Sequence, residues 1–195
     1  MAPLKYISGQ TPIWLRELVH KAICEAFDDP KLAIIGPHGR RCVRGELCES
    51  VAMVAVWLLR HYGVASRVVF GSARWDGFPV YFDWKGQSEY HAWVETEFRE
   101  YIDLACDSLR FRSDLAGSIF VSSPNAVWGY HALMTDRRYI EVEDGWKQIS
   151  VDQPDSPSFL RLARPALEFA QTNEARYREQ FKEQELARAQ GAIDE

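Results

Sequence analysis

ELCESVAMVAVWLLRHYGVASRVVFGSARW, residues 46–75, decides the fold. From Glu46 to Tyr62 apolar side chains fall on nearly every side of a helical wheel, the pattern of a helix buried all round. Gly63 suits the position just past its end, where the chain turns left-handed and only glycine does so without strain. Arg67–Trp75 then changes to the β-branched and aromatic composition of a strand. A buried helix feeding a strand predicts an α+β fold, with the helix packed on a sheet.

Toward the N-terminus, Thr11-Pro12 precedes Ile13, Trp14, Leu18, Val19, Ala22, Ile23 and Phe27. Their spacing predicts an amphipathic helix that stops before Pro30. Gly36-Pro37-His38-Gly39-Arg40-Arg41 reads as a turn-rich loop leading to Arg44-Gly45. Toward the C-terminus, Pro79–Trp84, Glu89–Glu95 and Arg99–Leu104 read as further strands, separated by turn signals at Asp76-Gly77, Lys85-Gly86 and Glu97. An antiparallel meander is the economical arrangement. Beyond Cys106 we expect a short helix over 113–120, a loop over 122–125 and a hairpin from Tyr139 to Val151 turning at Asp144-Gly145. A polar helix is expected from Ala166 to Gln190, supported by Glu174 and Arg178 four positions apart. Residues 1–165 therefore read as one domain, with core motifs over 44–104, and 166–195 as a helical extension.

With 195 residues, 47% of them apolar and seven tryptophans, the chain can bury a core unaided. A net charge of −5 and a pI near 5.6 argue against a nucleic-acid partner, which would need clustered Lys and Arg. Met1–Gln10 lacks the features of a secretory signal, and no apolar run is long enough for a membrane span, so the expectation is a soluble, cytoplasmic protein without a membrane partner. Cysteines 24, 42, 48 and 106 form no C-x-x-C pair, which points to thiols and to no metal. Fingerprints of serine hydrolases, zincins, P-loops and dinucleotide sites are absent.

A thiol becomes a useful nucleophile as its thiolate, which the unpaired N–H groups of a helix N-terminus favour. Of the four cysteines only Cys48 falls in the first turn of a helix. The run Tyr90-His91-Ala92-Trp93-Val94-Glu95, followed by Tyr101-Ile102-Asp103-Leu104, supplies a partner for it. A hairpin centred on Glu97 sets His91 opposite Asp103. Alternation then places His91, Trp93, Tyr101 and Asp103 on one face, and Ala92, Val94, Ile102 and Leu104 on the other. An imidazole beside a carboxylate is the base-and-orienter half of a triad, and Cys48 is the candidate nucleophile.

These segments resemble the transglutaminase-like core of the papain-related superfamily. In that family a nucleophilic cysteine opens a helix, an alanine lies four residues on, and a Leu-Arg-x-x-Gly segment leads through Ala-Arg-Val-Val into the first strand. Cys48, Ala52, Leu59-Arg60, Gly63, Arg67-Val68-Val69 and Gly71 match without gaps. His91-Ala92-Trp93-Val94-Glu95 is similar to the histidine motif, and Ile102-Asp103-Leu104 to the aspartate strand. Ala65-Ser66 stands where the family has Pro-Ala, and the interval from His91 to Asp103 is short. The resemblance implies a papain-like fold and a Cys48–His91–Asp103 triad. The implied chemistry is acyl transfer through a thioester, with no cofactor, on a peptide, protein or small amide substrate. One oxyanion donor would be the Cys48 N–H. Trp93, Tyr101 and His131 are candidates for contacting substrate.

Arg44-Gly45-Glu46-Leu47-Cys48-Glu49 is also similar to the cysteine signature of arylamine N-acetyltransferases, which use the same triad to carry an acetyl group from coenzyme A. A catalytically silent binding module on the same fold is the third reading. Oligomeric state is left open.

Overall fold

The computed structural model describes residues 10–35, 42, 44–75, 81–106, 127–130, 139–148 and 156–190. The first amphipathic stretch forms α1 (Ile13–Asp28) and stops before Pro30. Its buried face carries Leu15, Leu18, Val19, Ala22 and Ile23. A 3₁₀ turn, Arg44–Leu47, takes up what the sequence reads as the start of the next helix, so that α2 (Cys48–His61) opens on Cys48 itself. Gly63 ends α2 at φ +85°, with the Gly63 N–H donating to Arg60 O and Val64 N–H to Leu59 O. That pair of bonds satisfies carbonyls which the end of a helix leaves without partners.

The strands are β1 (Ser66–Arg74), β2 (Tyr81–Phe82), β3 (His91–Thr96), β4 (Glu100–Asp103), β5 (Val127–Tyr130) and β6 (Tyr139–Glu141), all paired antiparallel. The fold class is α+β, as expected, but the sheet is not a simple meander. β1 pairs along Ser66–Gly71 with β3, and only Ala73 and Arg74 pair with β2. β4 joins β3 to β5, a strand the sequence reading does not contain. β6 pairs with β1 at Gly71–Ala73. The expected return arm of its hairpin falls partly on 149–151, outside the described residues, as do the helix expected over 113–120 and the loop over 122–125.

The β3–β4 register differs from the expectation by two residues. Val94 faces Ile102 and Glu95 faces Tyr101, so the hairpin centres on Phe98 rather than Glu97. Arg99 at φ +58°, with its N–H donating to Thr96 O, moves the turn one residue toward the C-terminus. Asp103 therefore lies opposite Trp93 and diagonal to His91, a separation that side chains still bridge.

α2 packs on the face bearing Phe70, Ala92, Val94, Ile102 and Leu104, with α1 and α3 (Pro157–Gln180) completing the helical layer. α3 starts nine positions before the expected Ala166, with the Ser156 hydroxyl accepting from Phe159 N–H and Pro157 in the first turn. It runs through Pro165 and buries Phe159, Leu162, Ala166 and Ala170. After Phe181 comes α4 (Lys182–Ala189). Pro12 gives α1 no side-chain cap, and the carboxylate of Glu185 in α4 accepts from the Ile13 and Trp14 N–H groups instead.

A buried polar knot joins α1 to the β3–β4 turn. Glu100, fully buried, accepts from the Thr11 N–H at 3.1 Å and the Thr11 hydroxyl at 2.5 Å, and from Arg16 Nη2 at 3.1 Å and the Thr96 hydroxyl at 2.8 Å. Gly71 lets β6 approach β1, since a Cβ there would lie 2.0 Å from Ile140 O and 3.0 Å from the Trp93 ring. Gly71→Ala is expected to lower unfolding free energy by about 1–3 kcal/mol or more, read from the urea midpoint, because backbone rather than a flexible side chain must yield.

Candidate active site

Cys48 is the first residue of α2, behind a 3₁₀ turn tied down by Arg44. The Arg44 guanidinium is buried, donating from Nη1 to Leu104 O at 2.7 Å and from Nε to Asp28 at 3.1 Å. It thus fastens the approach to Cys48 to the residue after Asp103. On the other side, the Tyr90 hydroxyl donates to the Glu49 carboxylate. Tyr90 precedes His91 and Glu49 follows Cys48, so one hydrogen bond closes the helix tip onto the start of β3. Burial, and then the Glu49 carboxylate, push the Tyr90 phenol up and keep it a donor.

His91 Nε2 lies 2.8 Å from Asp103 Oδ2, with both side chains buried. The other Asp103 oxygen accepts the Ala105 N–H at 3.0 Å and the Cys106 N–H at 3.3 Å. The imidazole is enclosed by Phe82, stacked at 5.0 Å, and by the Trp75 ring, edge-on at 5.3 Å. Burial works against an imidazolium here. The Asp103 carboxylate outweighs it through charge and hydrogen bond, Cys48 adds to the same side, and His91 is pushed up to about 10. Burial also opposes the charge on Asp103, but His91, with the Tyr139 hydroxyl and the Ala105 N–H, holds the carboxyl below its ordinary range.

The ring is thereby fixed by one nitrogen, while Nδ1 is buried with no hydrogen-bond partner among the described residues. Cys48 is near enough to raise the proton affinity of the ring. An imidazole anchored through Nε2 on a carboxylate, with Nδ1 unspent and a thiol near enough to act on the ring, is arranged to take up a proton at Nδ1. Cys48 keeps 7% of its surface exposed and His91 none.

The remaining sequence candidates fare differently. Trp93, expected to face substrate, is 1% exposed and lies between His91, Tyr101 and Tyr139, a filler of the aromatic layer. Tyr101 is half-buried and stacks on Tyr139. His131 lies outside the described residues. Sequence reading missed Tyr139, whose hydroxyl donates to Asp103 Oδ2 at 2.8 Å, and Trp75, whose indole N–H donates to that hydroxyl at 3.0 Å. It also missed the Glu49–Tyr90 and Arg44–Leu104 ties. The one available signal was that Glu49 and Tyr90 flank the two motif residues. Among the described residues, no group of three His, Cys, Asp or Glu side chains is placed to hold a metal ion, and no helix is long and apolar enough to cross a membrane. No protein-family model, curated protein or solved structure matches this chain.

Proposed function

We propose that this chain is a cysteine-nucleophile acyl-transfer enzyme on a transglutaminase-like, papain-like core, acting as a peptidase or amidase on peptide or side-chain amide bonds. Cys48 is the nucleophile, His91 the base and Asp103 the group that orients it. The observation that carries this reading is the 2.8 Å bond from His91 Nε2 to Asp103, with Nδ1 left without a hydrogen bond among the described residues and Cys48 near enough to act on the ring. Proton transfer from the Cys48 thiol to Nδ1 gives a thiolate beside an imidazolium that Asp103 stabilises. The thiolate attacks an amide carbon, and the tetrahedral oxyanion meets the Cys48 N–H at the start of α2. Collapse gives a thioester as the imidazolium protonates the departing amine, and water then resolves it.

Iodoacetamide labelling followed by peptide mass spectrometry tests the reading. Cys48 is expected to react faster than Cys24, Cys42 and Cys106, and to slow by about 10²-fold in His91→Ala. Slow labelling that the His91 change does not alter would sink it. The full burial of His91 favours a second reading, a catalytically silent binding module, and that result would establish it. Acetylation of an arylamine that depends on coenzyme A would instead support the acetyltransferase variant of the same triad.

A further inference from the structure

We propose that Tyr139 is a fourth, positioning member of the Cys48–His91–Asp103 site, its hydroxyl fixing the Asp103 carboxylate in the orientation that holds His91. This deepens the proposed function and rests on that reading of the three residues. The geometry is a chain of hydrogen bonds. Trp75 Nε1–H donates to the Tyr139 hydroxyl at 3.0 Å, the hydroxyl donates to Asp103 Oδ2 at 2.8 Å, and the same Oδ2 receives His91 Nε2 at 2.8 Å. The indole N–H can only donate, so it occupies a lone pair of the phenol oxygen and directs the phenol proton toward the carboxylate. With Oδ1 taken by the Ala105 and Cys106 N–H groups, neither oxygen of Asp103 can turn without breaking a bond.

The fold delivers Tyr139 for this contact from far along the chain. It stands on β6 opposite Ala73, within the short pairing that Gly71 permits, and its ring packs against His91, Trp93 and Tyr101. The titratable groups acting on the hydroxyl are Asp103 and Cys106, and those acting on His91 are Asp103 and Cys48. Burial, then the Asp103 charge, hold the phenol well above its ordinary value, so it remains a donor throughout the range in which His91 titrates.

A donor on Asp103 matters more when His91 is neutral, because the carboxylate charge is then not offset by the imidazolium. Removing the hydroxyl therefore disfavours neutral His91 and moves its titration upward. Tyr139→Phe keeps the ring, and Trp75→Phe removes only the N–H that orients the phenol. The test is the pH titration of the His91 ring nitrogens by NMR in the full chain, alongside the rate of Cys48 alkylation. Tyr139→Phe is expected to raise the His91 midpoint by about half to one unit and to slow alkylation roughly tenfold. Trp75→Phe should move the midpoint the same way by less, and it carries the test if Tyr139→Phe does not fold. An unmoved midpoint in a folded variant would reduce Tyr139 to a packing role and overturn the proposal. A moved midpoint with Cys48 already inert in the parent protein would also overturn it, because it removes the enzyme the positioning is meant to serve; the unmoved midpoint leaves that enzyme reading standing.

Discussion

In an Asp103→Asn variant the His91 imidazole is expected to titrate below 6.5, its ordinary value, rather than near the value of about 10 it has beside the carboxylate. The reason is the balance of opposing effects at the ring. Burial disfavours the imidazolium, and the Asp103 charge reverses that; without the charge, burial, the largest effect, is opposed only by the smaller one of Cys48. Breaking a buried pair by removing one member costs about 3–5 kcal/mol, so the variant should also lose that much stability at pH 6. The pair has a pH signature. His91 is raised on folding, so its contribution is complete below 6.5 and is lost as pH climbs toward about 10. Asp103 is lowered on folding, so its contribution is complete above 3.8 and is lost as pH falls through the lower folded value. The parent protein should therefore show a plateau between these limits in urea midpoint against pH, and Asp103→Asn should flatten both slopes. A variant whose midpoint keeps the parental fall between pH 7 and 10 would show that another group carries it.

Glu100→Ala is the second change with a large expected effect, about 3–5 kcal/mol, or roughly 10 °C in Tm for a chain of this size. Four donors lose their acceptor at once, and the buried Arg16 guanidinium loses its ion pair with Glu100. Arg16 also lies over the Trp128 ring at 5.7 Å, so its displacement disturbs β5 as well as α1. The contrast is Arg67, half exposed between Glu95 and Glu141 on the sheet surface. Arg67→Ala should cost no more than about 1 kcal/mol, because water compensates for what the ion pair loses. If thermal melts of the two variants shift equally, burial is not what gives the Glu100 knot its strength.

The parts of the fold legible in the sequence were those with a local cause. The periodicity of α1, the apolar run of α2 with Gly63 behind it, and the alternation in β3 and β4 each follow from neighbouring residues. Alternation alone put His91 and Asp103 on one face, and it did so despite a register error, because a shift of two residues preserves the face. The turn was misplaced because Arg99 adopts a left-handed conformation that no glycine announced. Pro165 sits inside α3, whereas proline ordinarily marks a helix boundary, which hid the eight residues before it. What could not be read was pairing between distant segments. β3 lies against β1 rather than β2, β6 returns to β1, and Tyr139 reaches Asp103 across 36 positions. Within the site, the three sequence candidates were recognisable as types of chemistry, but the ties that hold them, from Arg44, Glu49, Tyr90, Trp75 and Tyr139, exist only once the chain has folded.

The cap that Glu185 places on α1 has a consequence for how the chain reaches this structure. The contacting groups are 172 positions apart, and Arg188 reinforces them by donating to Thr11 O across 177. During synthesis the first helix emerges with its Ile13 and Trp14 N–H groups unmet, and waits until α4, 172 positions on, has left the ribosome. Closure of so long a loop arrives late, so the start of α1 should be among the last regions to gain protection as the protein folds and among the first exposed to chaperones and proteases.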